Sequence, residues 1–252
     1  MSATIPPRPD IPLAETRPGQ PRATWTWRMA VLIFVGVQLL GGVVVAVPVV
    51  AVIDDERVAA LVASLFVSAL GIGVYVWWLE SSHPRWKQTI GWPRDPWPEV
   101  RWGLLFGIVL YPTIILVVAP AIALLLQAIF GRGVEAPEQL PSSMPAYAVI
   151  VSIVYATAIA PVHEELFFRG ILFRALVDRY GSGVGAVGSG IAFGLIHYVP
   201  APWLDALLLI LVMVPTGIAF AWLYDRRGNL LAPIVAHATF NVIGLIAIYA
   251  LG

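Results

Sequence analysis

Two adjacent carboxylates and an imidazole follow an apolar stretch of this chain, in the segment APVHEELFFRG that spans residues 160–170. Ionisable side chains are costly in a segment apolar enough for lipid, so they are candidates for function. Glu165 and Arg169 are four residues apart and can form an ion pair on one face of a helix. Glu164 diverges from Glu165 by about 100° around the helix axis. We therefore expect Glu165 to be structural and Glu164 to be reactive, facing the interior of a helical bundle.

Two further pairs with the same spacing occur later in the chain. They are Phe193 and His197 in FGLIH, and His237 and Asn241 in HATFN. A buried carboxylate beside an imidazole can hold a water molecule and remove its proton. A second imidazole and an amide can donate hydrogen bonds to a developing oxyanion. With Glu164, these residues predict hydrolysis of a peptide bond without a covalent intermediate.

A metal site is the alternative chemistry for the same residues. Glu164, His197 and His237 could ligate Zn²⁺ and leave a fourth position open. The HExxH motif is absent, because Phe167 stands where its second His would be. The chain has no Cys, which excludes disulfides, Cys ligands and a Cys nucleophile. His163 is expected to form a hydrogen bond with a neighbouring helix rather than to take part in catalysis.

The elements that would hold these residues are transmembrane helices. The chain has 252 residues, of which 59% are hydrophobic and 12% charged, against about 25% charged in soluble domains. Its net charge is zero, so nothing points to a nucleic-acid partner. Because a helix needs about 20 apolar residues to cross a bilayer, we predict an all-α polytopic bundle of about seven spans, within a range of six to eight. The apolar stretches lie near 27–53, 58–79, 102–130 (with a kink expected from Pro112 and Pro120), 147–168, 183–199, 203–224 and 230–251.

The basic residues predict the orientation of the bundle. If the N-terminus is cytoplasmic, 13 of the 15 Lys and Arg residues fall on the cytoplasmic side, as the positive-inside rule requires. Residues 1–25 are polar and rich in Pro, and we expect a disordered cytoplasmic tail. Residues 26–252 then form one transmembrane domain, whose first span is retained as an anchor. The segment 80–101 mixes Trp with basic residues, so it is either an interfacial segment or an ordinary loop.

Small residues four apart mark the fifth apolar stretch, in GSGVGAVGSGIAFG. Gly190 and Gly194 are one such pair, and this spacing allows two helices to approach closely. The spacing predicts tight packing of this helix, which would bring His197 near a neighbour.

The motif residues resemble those of a known family. EELFFRG fits the pattern EExxxR, FGLIH fits FxxxH and HATFN fits HxxxN, in that order on successive late helices. The pattern is similar to that of the CPBP family, which comprises CAAX prenyl proteases of the Rce1 type and bacteriocin-processing relatives and is also called the abortive-infection family. The resemblance covers a core of about residues 145–245.

The resemblance implies an all-helical intramembrane endopeptidase. It assigns the general base to Glu164, a water-holding role to His197, and oxyanion stabilisation to His237 and Asn241. Supporting roles fall on three further residues, Glu165, Arg169 and Phe193. Members of the family are often labelled metalloproteases, and a glutamate-dependent mechanism without metal is also proposed for them. We therefore favour the mechanism that needs no cofactor, and a bound Zn²⁺ is the alternative.

The substrate and location follow less directly. Fourteen of the 15 basic residues are Arg, a composition typical of GC-rich prokaryotic genomes, so we expect a multi-pass protein of a prokaryotic cell membrane. Its partners would be the bilayer and a membrane-embedded or lipid-anchored protein or peptide. Two other functions remain open: a non-proteolytic membrane protein, such as a bacteriocin-immunity or scaffolding factor, and a proton or small-solute transporter, which the lack of internal repeats disfavours.

Overall fold

The computed structural model describes residues 20–137 and 145–250, and these form helices and connecting loops. Within these two ranges, six helices are long and apolar enough to cross a membrane. The helices are α1 (Trp27–Val52), α2 (Glu56–Ser82), α3 (Trp86–Ile90), α4 (Trp97–Phe130), α5 (Ala146–Tyr180), α6 (Ser182–Ile196), α7 (Trp203–Arg227) and α8 (Leu231–Ala250). The predicted polytopic helical bundle is confirmed, while the cytoplasmic placement of the N-terminus stays a prediction.

The fifth predicted apolar stretch differs from the others. Its helix, α6, has 15 residues and ends at Ile196, so it is shorter than the six long helices. His197 caps this helix, and a loop that contains Pro200 and Pro202 follows. His197 therefore lies at the end of a short helix and not in the middle of a membrane-spanning one.

Prolines shape three of the long helices. Short π-helical turns occur at Gly42–Ala46, Ile114–Val118 and Tyr155–Ile159, and each precedes a proline in the first turn of the next α-helical segment. Proline lacks the N–H that would complete the α-helical ladder, and the wider turn absorbs the break. The expected irregularity in α4 thus takes the form of a π-helical turn between Pro112 and Pro120.

The second half of α5 is the centre of the bundle. All eleven residues from Glu165 to Ala175 are buried, and a π-helical segment, Leu166–Phe173, runs through them. Around this centre, α6 packs along α7 and α4 along α8 in the two largest interhelical contacts. In contrast, α1 and α4 leave much of their apolar surface exposed, as helices that face lipid do. The motif residues Glu165 and Arg169 thus lie at the buried centre of the bundle.

Glycines set the distance between α6 and α7. A Cβ added at Gly190 would lie 2.5 Å from Ile218 Cγ1, and one at Gly194 would lie 2.5 Å from Val214 Cγ2. Both contacts are shorter than any side chain tolerates without a shift. The close approach predicted from the glycine spacing is therefore present between these two helices.

The chain that precedes α1 is bound to the bundle where the structure describes it. The predicted disordered tail lies outside the described residues up to residue 19. Residues 20–26, which we call the N-terminal strap, pack against the other helices. The Trp25 ring is buried and donates from Nε1 to Ile171 O at 2.9 Å, and the Ala23 N–H donates to Asp178 Oδ2 at 2.7 Å.

Candidate active site

The two adjacent glutamates of α5 have separate environments. The Glu165 carboxylate is fully buried and accepts a hydrogen bond from Arg169 Nη1 at 2.9 Å, within the same helix. Arg169 is also fully buried, and its Nη2 donates to Gly217 O of α7 at 2.9 Å. This ion pair was predicted from the spacing. Its hydrogen bond to α7 means that the pair also joins the motif helix to its neighbour.

Aromatic rings enclose the buried guanidinium. The Arg169 Cζ atom lies 4.6 Å from the ring centre of Phe193, 5.3 Å from that of Phe220 and 5.8 Å from that of Phe168. Ring faces attract cations, most strongly where water is absent. Phe193, expected to be a supporting residue, is one of these three walls and contacts the rings of both His197 and His237.

His237 of α8 contacts both glutamates. Its Nδ1 lies 2.9 Å from Glu165 Oε1, the oxygen that Arg169 also contacts. An ionised carboxylate can only accept hydrogen bonds, so Nδ1 of His237 carries the proton. The other nitrogen, Nε2, lies 3.9 Å from Glu164 Oε2. Glu165 therefore orients the ring of His237 towards Glu164.

His197 has its tautomer fixed by the backbone. Its Nδ1 lies 2.7 Å from Phe193 O. A carbonyl oxygen can only accept, so Nδ1 donates, and Nε2 of a neutral His197 holds a lone pair. His197 lies within electrostatic range of Glu164 and of His237. Its Nε2 is therefore available as a hydrogen-bond acceptor.

Asn241 is held by the π-helical turn of α5. Its Nδ2 donates to Ala156 O at 2.7 Å, and Ala156 lies in the turn Tyr155–Ile159. The amide group has two N–H donors, so one remains for another acceptor. His237 lies one turn earlier on the same face of α8, which puts the two side chains side by side.

The structure therefore brings Glu164, His197 and His237 into one group, with Asn241 beside them on α8. The Glu164 Oε2 atom is buried and has no hydrogen-bond partner among the described residues. An ionised oxygen buried in this way is costly unless a partner enters the site. The group has the composition of a site that binds water or a polar substrate.

His163 lies apart from this group. Its ring stacks on Tyr75 of α2, with centroids 5.5 Å apart and planes 11° apart. Its Nε2 faces Gly71, where an added Cβ would lie 2.5 Å away. His163 packs against α2 through its ring face. Its Nε2 has no hydrogen-bond partner among the described residues, so the expected hydrogen bond between helices is not found there.

Two features of the site were not predicted from the sequence. The first is the hydrogen bond between Glu165 and His237, which are 72 residues apart and belong to different motifs. The second is Tyr155, whose hydroxyl interacts with Ser64 and Ser68 of α2 and lies within electrostatic range of Glu164. An aromatic residue in an apolar helix carries no sequence signal that separates it from packing residues.

Glu164, His197 and His237 are also the possible metal ligands of the site. His197 and His237 each form a hydrogen bond to an oxygen through Nδ1, so Nε2 is the nitrogen that could bind a metal. This arrangement is typical of metal-ligating imidazoles. However, no three His, Asp or Glu side chains in residues 20–137 and 145–250 are grouped so that they could hold a metal ion. As placed here, Glu164, His197 and His237 therefore do not fit a Zn²⁺ site.

The last hundred or so residues of the chain match a known family. Residues 145–243 match the family of type II CAAX prenyl endopeptidases, Rce1-like. The resemblance drawn from the three motifs is thereby confirmed for this region. All the candidate catalytic and supporting residues lie within it, whereas α1 to α4 lie before it.

Two curated relatives match the chain in part. One is named "Putative membrane peptidase YdiL", from Bacillus subtilis (strain 168), and is 32% identical over 113 residues, which are 45% of this chain and 43% of that protein. The other is the UPF0177 protein YxdF of Lactococcus lactis subsp. lactis (strain IL1403), 29% identical over 86 residues, 34% of this chain and 44% of that protein. The matches thus cover less than half of either relative. No solved structure matches the chain.

The comparisons and the six long apolar helices together support a multi-pass membrane protein of the protease class. Both relatives are bacterial.

Proposed function

We propose that the chain is an intramembrane endopeptidase that hydrolyses peptide bonds with a water molecule activated by Glu164. The observation that carries this proposal is the position of His237. Glu165 holds its Nδ1 at 2.9 Å, and its Nε2 lies 3.9 Å from the unpartnered Glu164 oxygen. The match to the endopeptidase family and the name of the Bacillus relative, a putative membrane peptidase, support the same reaction class.

Charge balance determines where the site holds its mobile proton. Glu164 and Glu165 carry two negative charges, and Arg169 carries one positive charge. One further proton makes this buried group neutral overall, and the proposed mechanism needs that proton as a hydrogen-bond donor to the oxyanion. His237 lies between the two carboxylates and is the residue best placed to hold that proton. With both nitrogens protonated, Nδ1–H donates to Glu165 and Nε2–H points into the site.

The attacking water is held by the two acceptors of the group. Glu164 and the Nε2 lone pair of His197 each accept one of its protons, so a lone pair of the water oxygen faces the scissile carbonyl carbon. As the new C–O bond forms, Glu164 takes the proton from the water, which is general-base catalysis. The electrons of the carbonyl double bond move onto its oxygen.

The oxyanion is stabilised by donors from α8. The Nε2–H of His237 and the free N–H of Asn241 are the two hydrogen-bond donors, and donors fixed in place before the reaction lose little energy in reorganising. When the tetrahedral intermediate collapses, the C–N bond breaks and Glu164 passes its proton to the leaving nitrogen. The products are a carboxyl group and an amine, and the enzyme returns to its starting charge.

The depth of the site limits the substrate class. Glu164 lies inside α5, and His237 and Asn241 lie inside α8. We propose that the substrates are membrane-embedded or lipid-anchored proteins or peptides of the prokaryotic cell membrane that contains the enzyme. The proposed reaction involves only the peptide bond and the water molecule. It therefore does not depend on whether the substrate carries a prenyl group.

The test uses the purified full-length protein in bilayer nanodiscs. Wild type, Glu164→Gln and Glu80→Gln are incubated with a library of membrane-derived peptides, and products are identified by mass spectrometry. Glu80 is a matched control, because its carboxylate is half-exposed and pairs with Lys87 at the protein surface. We expect wild type and Glu80→Gln to share cleavage products that Glu164→Gln lacks. Equal product lists for all three proteins would overturn the proposal.

A further inference from the structure

A cavity lies between the start of α1 and the end of α5, away from the catalytic group. Thr26, Trp27 and Arg28 line it on one side, and Arg179 and Tyr180 line it on the other. Its volume of about 170 Å³ is several times the space that one water molecule needs. The geometry points to this cavity as a binding site for the headgroup of an anionic diacyl phospholipid. The inference does not rest on the proposed protease activity.

The charge of the cavity selects an anion. Arg28 and Arg179 both line it, and neither guanidinium lies within ion-pair distance of a carboxylate among the described residues. Other arginines of the bundle are paired, for example Arg174 with Asp178 at 3.2 Å. Two guanidiniums that face one cavity, with no carboxylate partner in the described part of the chain, are suited to a phosphate diester, which Arg binds through parallel N–H groups.

The carboxylates at this end of the bundle are already hydrogen-bonded. Asp178 accepts from Arg174 and from the Ala23 N–H, and Asp225 accepts from Ser182 Oγ. Asp178 is therefore paired with Arg174 rather than with Arg28 or Arg179. The start of α1 adds the partial positive charge of a helix N-terminus, as a secondary contribution.

Aromatic rings place the cavity at the depth of lipid headgroups. The Arg28 guanidinium lies 5.5 Å from the Trp27 ring centre, and that of Arg179 lies 5.5 Å from the Tyr180 ring centre. Trp and Tyr are enriched where a membrane meets water. Trp27 is also the first residue of an apolar span of 26 residues, so the cavity lies at the polar end of that span.

Apolar stripes that begin at the cavity distinguish a lipid from free phosphate. On α1, Leu32, Val35 and Leu39 follow Arg28 at positions i+4, i+7 and i+11, which lie on one helix face. These three side chains are 72%, 44% and 67% exposed. A lipid whose phosphate is bound by Arg28 would lay an acyl chain along this stripe.

A second stripe begins beside the other wall of the cavity. Helix α6 starts two residues after Tyr180, and its exposed apolar residues recur at helical spacing. They are Val184, Val187, Ile191 and Leu195. Two apolar tracks that start at one cationic cavity match a lipid with two chains and one negative headgroup.

The test measures lipid binding to the purified full-length protein in detergent. Thermal unfolding is followed by Trp fluorescence while dioleoyl-phosphatidylglycerol, dihexanoyl-phosphatidylglycerol, dioleoyl-phosphatidylcholine or inorganic phosphate is added. For wild type we expect the tightest binding for dioleoyl-phosphatidylglycerol. We expect binding at least tenfold weaker for phosphatidylcholine and for the short-chain lipid, and no shift with 10 mM phosphate.

Matched variants separate the cavity from general surface charge. Arg28→Gln with Arg179→Gln removes the two cavity guanidiniums. Arg94→Gln with Arg226→Gln removes two other exposed ones, and Arg226 also lies over an aromatic ring, 5.4 Å from the centre of Trp222.

We expect the affinity for dioleoyl-phosphatidylglycerol to fall at least tenfold in the first pair and less than twofold in the second. Equal losses in both pairs would assign the effect to net charge and overturn the inference. A phosphate shift as large as the lipid shift would overturn the lipid assignment and leave a free-phosphate site. The folding of each variant is checked by its unfolding temperature without added ligand.

Discussion

A hydrogen bond of 2.9 Å joins Glu165 Oε1 on α5 to His237 Nδ1 on α8. The same oxygen accepts from Arg169. Glu165 thus has two roles. It balances the charge of the buried Arg169, and it holds His237 Nδ1 so that Nε2 of the same ring points to Glu164. The two roles can be separated by mutation, because stability depends on the first and hydrolysis on the second.

Glu165→Gln is expected to destabilise the protein strongly. It leaves the fully buried Arg169 without a counter-charge, a loss of about 3–5 kcal/mol for buried pairs. Adding Arg169→Met removes the orphaned charge and should recover much of that stability. The unfolding free energy in a denaturant titration and the hydrolysis rate are measured for both variants. Hydrolysis should stay low in the double variant, because His237 has lost its carboxylate acceptor. Recovery of hydrolysis together with stability would show that Glu165 does not orient His237.

Glu164→Gln should have the opposite profile. The Glu164 Oε2 atom has no hydrogen-bond partner in the described structure, so a neutral amide in its place breaks no hydrogen bond of that oxygen. The substitution removes the cost of a buried charge together with its attraction to His237 Nε2, 3.9 Å away, so we expect an unfolding temperature close to that of wild type. We expect the rate constant of hydrolysis to fall by about 10²–10⁴, the range that general acid–base groups supply. A large loss of stability in this variant would mean that Glu164 has a structural role instead.

The mechanism predicts that activity does not depend on metal. We expect elemental analysis of the purified protein to give far less than one zinc per chain. Treatment with 1,10-phenanthroline should leave the hydrolysis rate unchanged, because the water is held by Glu164 and His197 alone. Stoichiometric zinc, together with inactivation by the chelator and recovery on adding zinc, would contradict this scheme. In that case Glu164, His197 and His237 would have to move closer together than they are here.

Close packing of α6 on α7 is expected to matter for both stability and activity. A Cβ at Gly190 would approach the backbone N of Ile218 to 3.0 Å as well as its Cγ1, so Gly190→Ala forces the helices apart. Overpacking of this kind costs about 1–3 kcal/mol. Displacing α6 also moves His197, so the hydrolysis rate should fall.

Gly183→Ala is the matched control for that experiment. It lies on the same helix, and nothing lies within 4 Å of the added atom. Its unfolding temperature should be unchanged or higher, since Ala favours a helix over Gly by about 1 kcal/mol. Equal destabilisation by the two substitutions would mean that the contact between α6 and α7 does not limit stability.

The sequence predicts the helices well and the site in part. Long apolar runs and the i, i+4 pairs determine the spans and the Glu165–Arg169 ion pair, because both depend on local periodicity. The bond between Glu165 and His237 depends instead on how α5 and α8 are rotated towards each other, and no local pattern encodes that angle. The contact of the His163 ring with Tyr75 likewise depends on how α5 is rotated towards α2. The sequence around His163 therefore does not predict it. Residues 20–25 were expected to be part of a polar tail, yet Trp25 alone gives this segment an apolar anchor.

His83 gives the N-terminal strap a dependence on pH. Its Nδ1 lies 2.7 Å from Thr24 Oγ1, and its ring contacts those of Trp25 and Trp78. Burial lowers the pKa of His83 below its ordinary value of about 6.5, so the folded state favours the neutral ring. The stability that this contributes is fully present above about pH 6.5 and is lost as the pH falls towards the lowered pKa.

We therefore expect the unfolding temperature of the wild type to fall between pH 7.5 and pH 5 by more than that of His83→Gln, whose side chain does not titrate. Thr24→Val is the matched control: it removes the hydrogen bond at every pH but keeps the imidazole, so its pH dependence should parallel that of the wild type. Trp fluorescence reports whether Trp25 leaves its buried position in the same pH range. If His83→Gln retained the full pH dependence, another group would have to control the attachment of the strap.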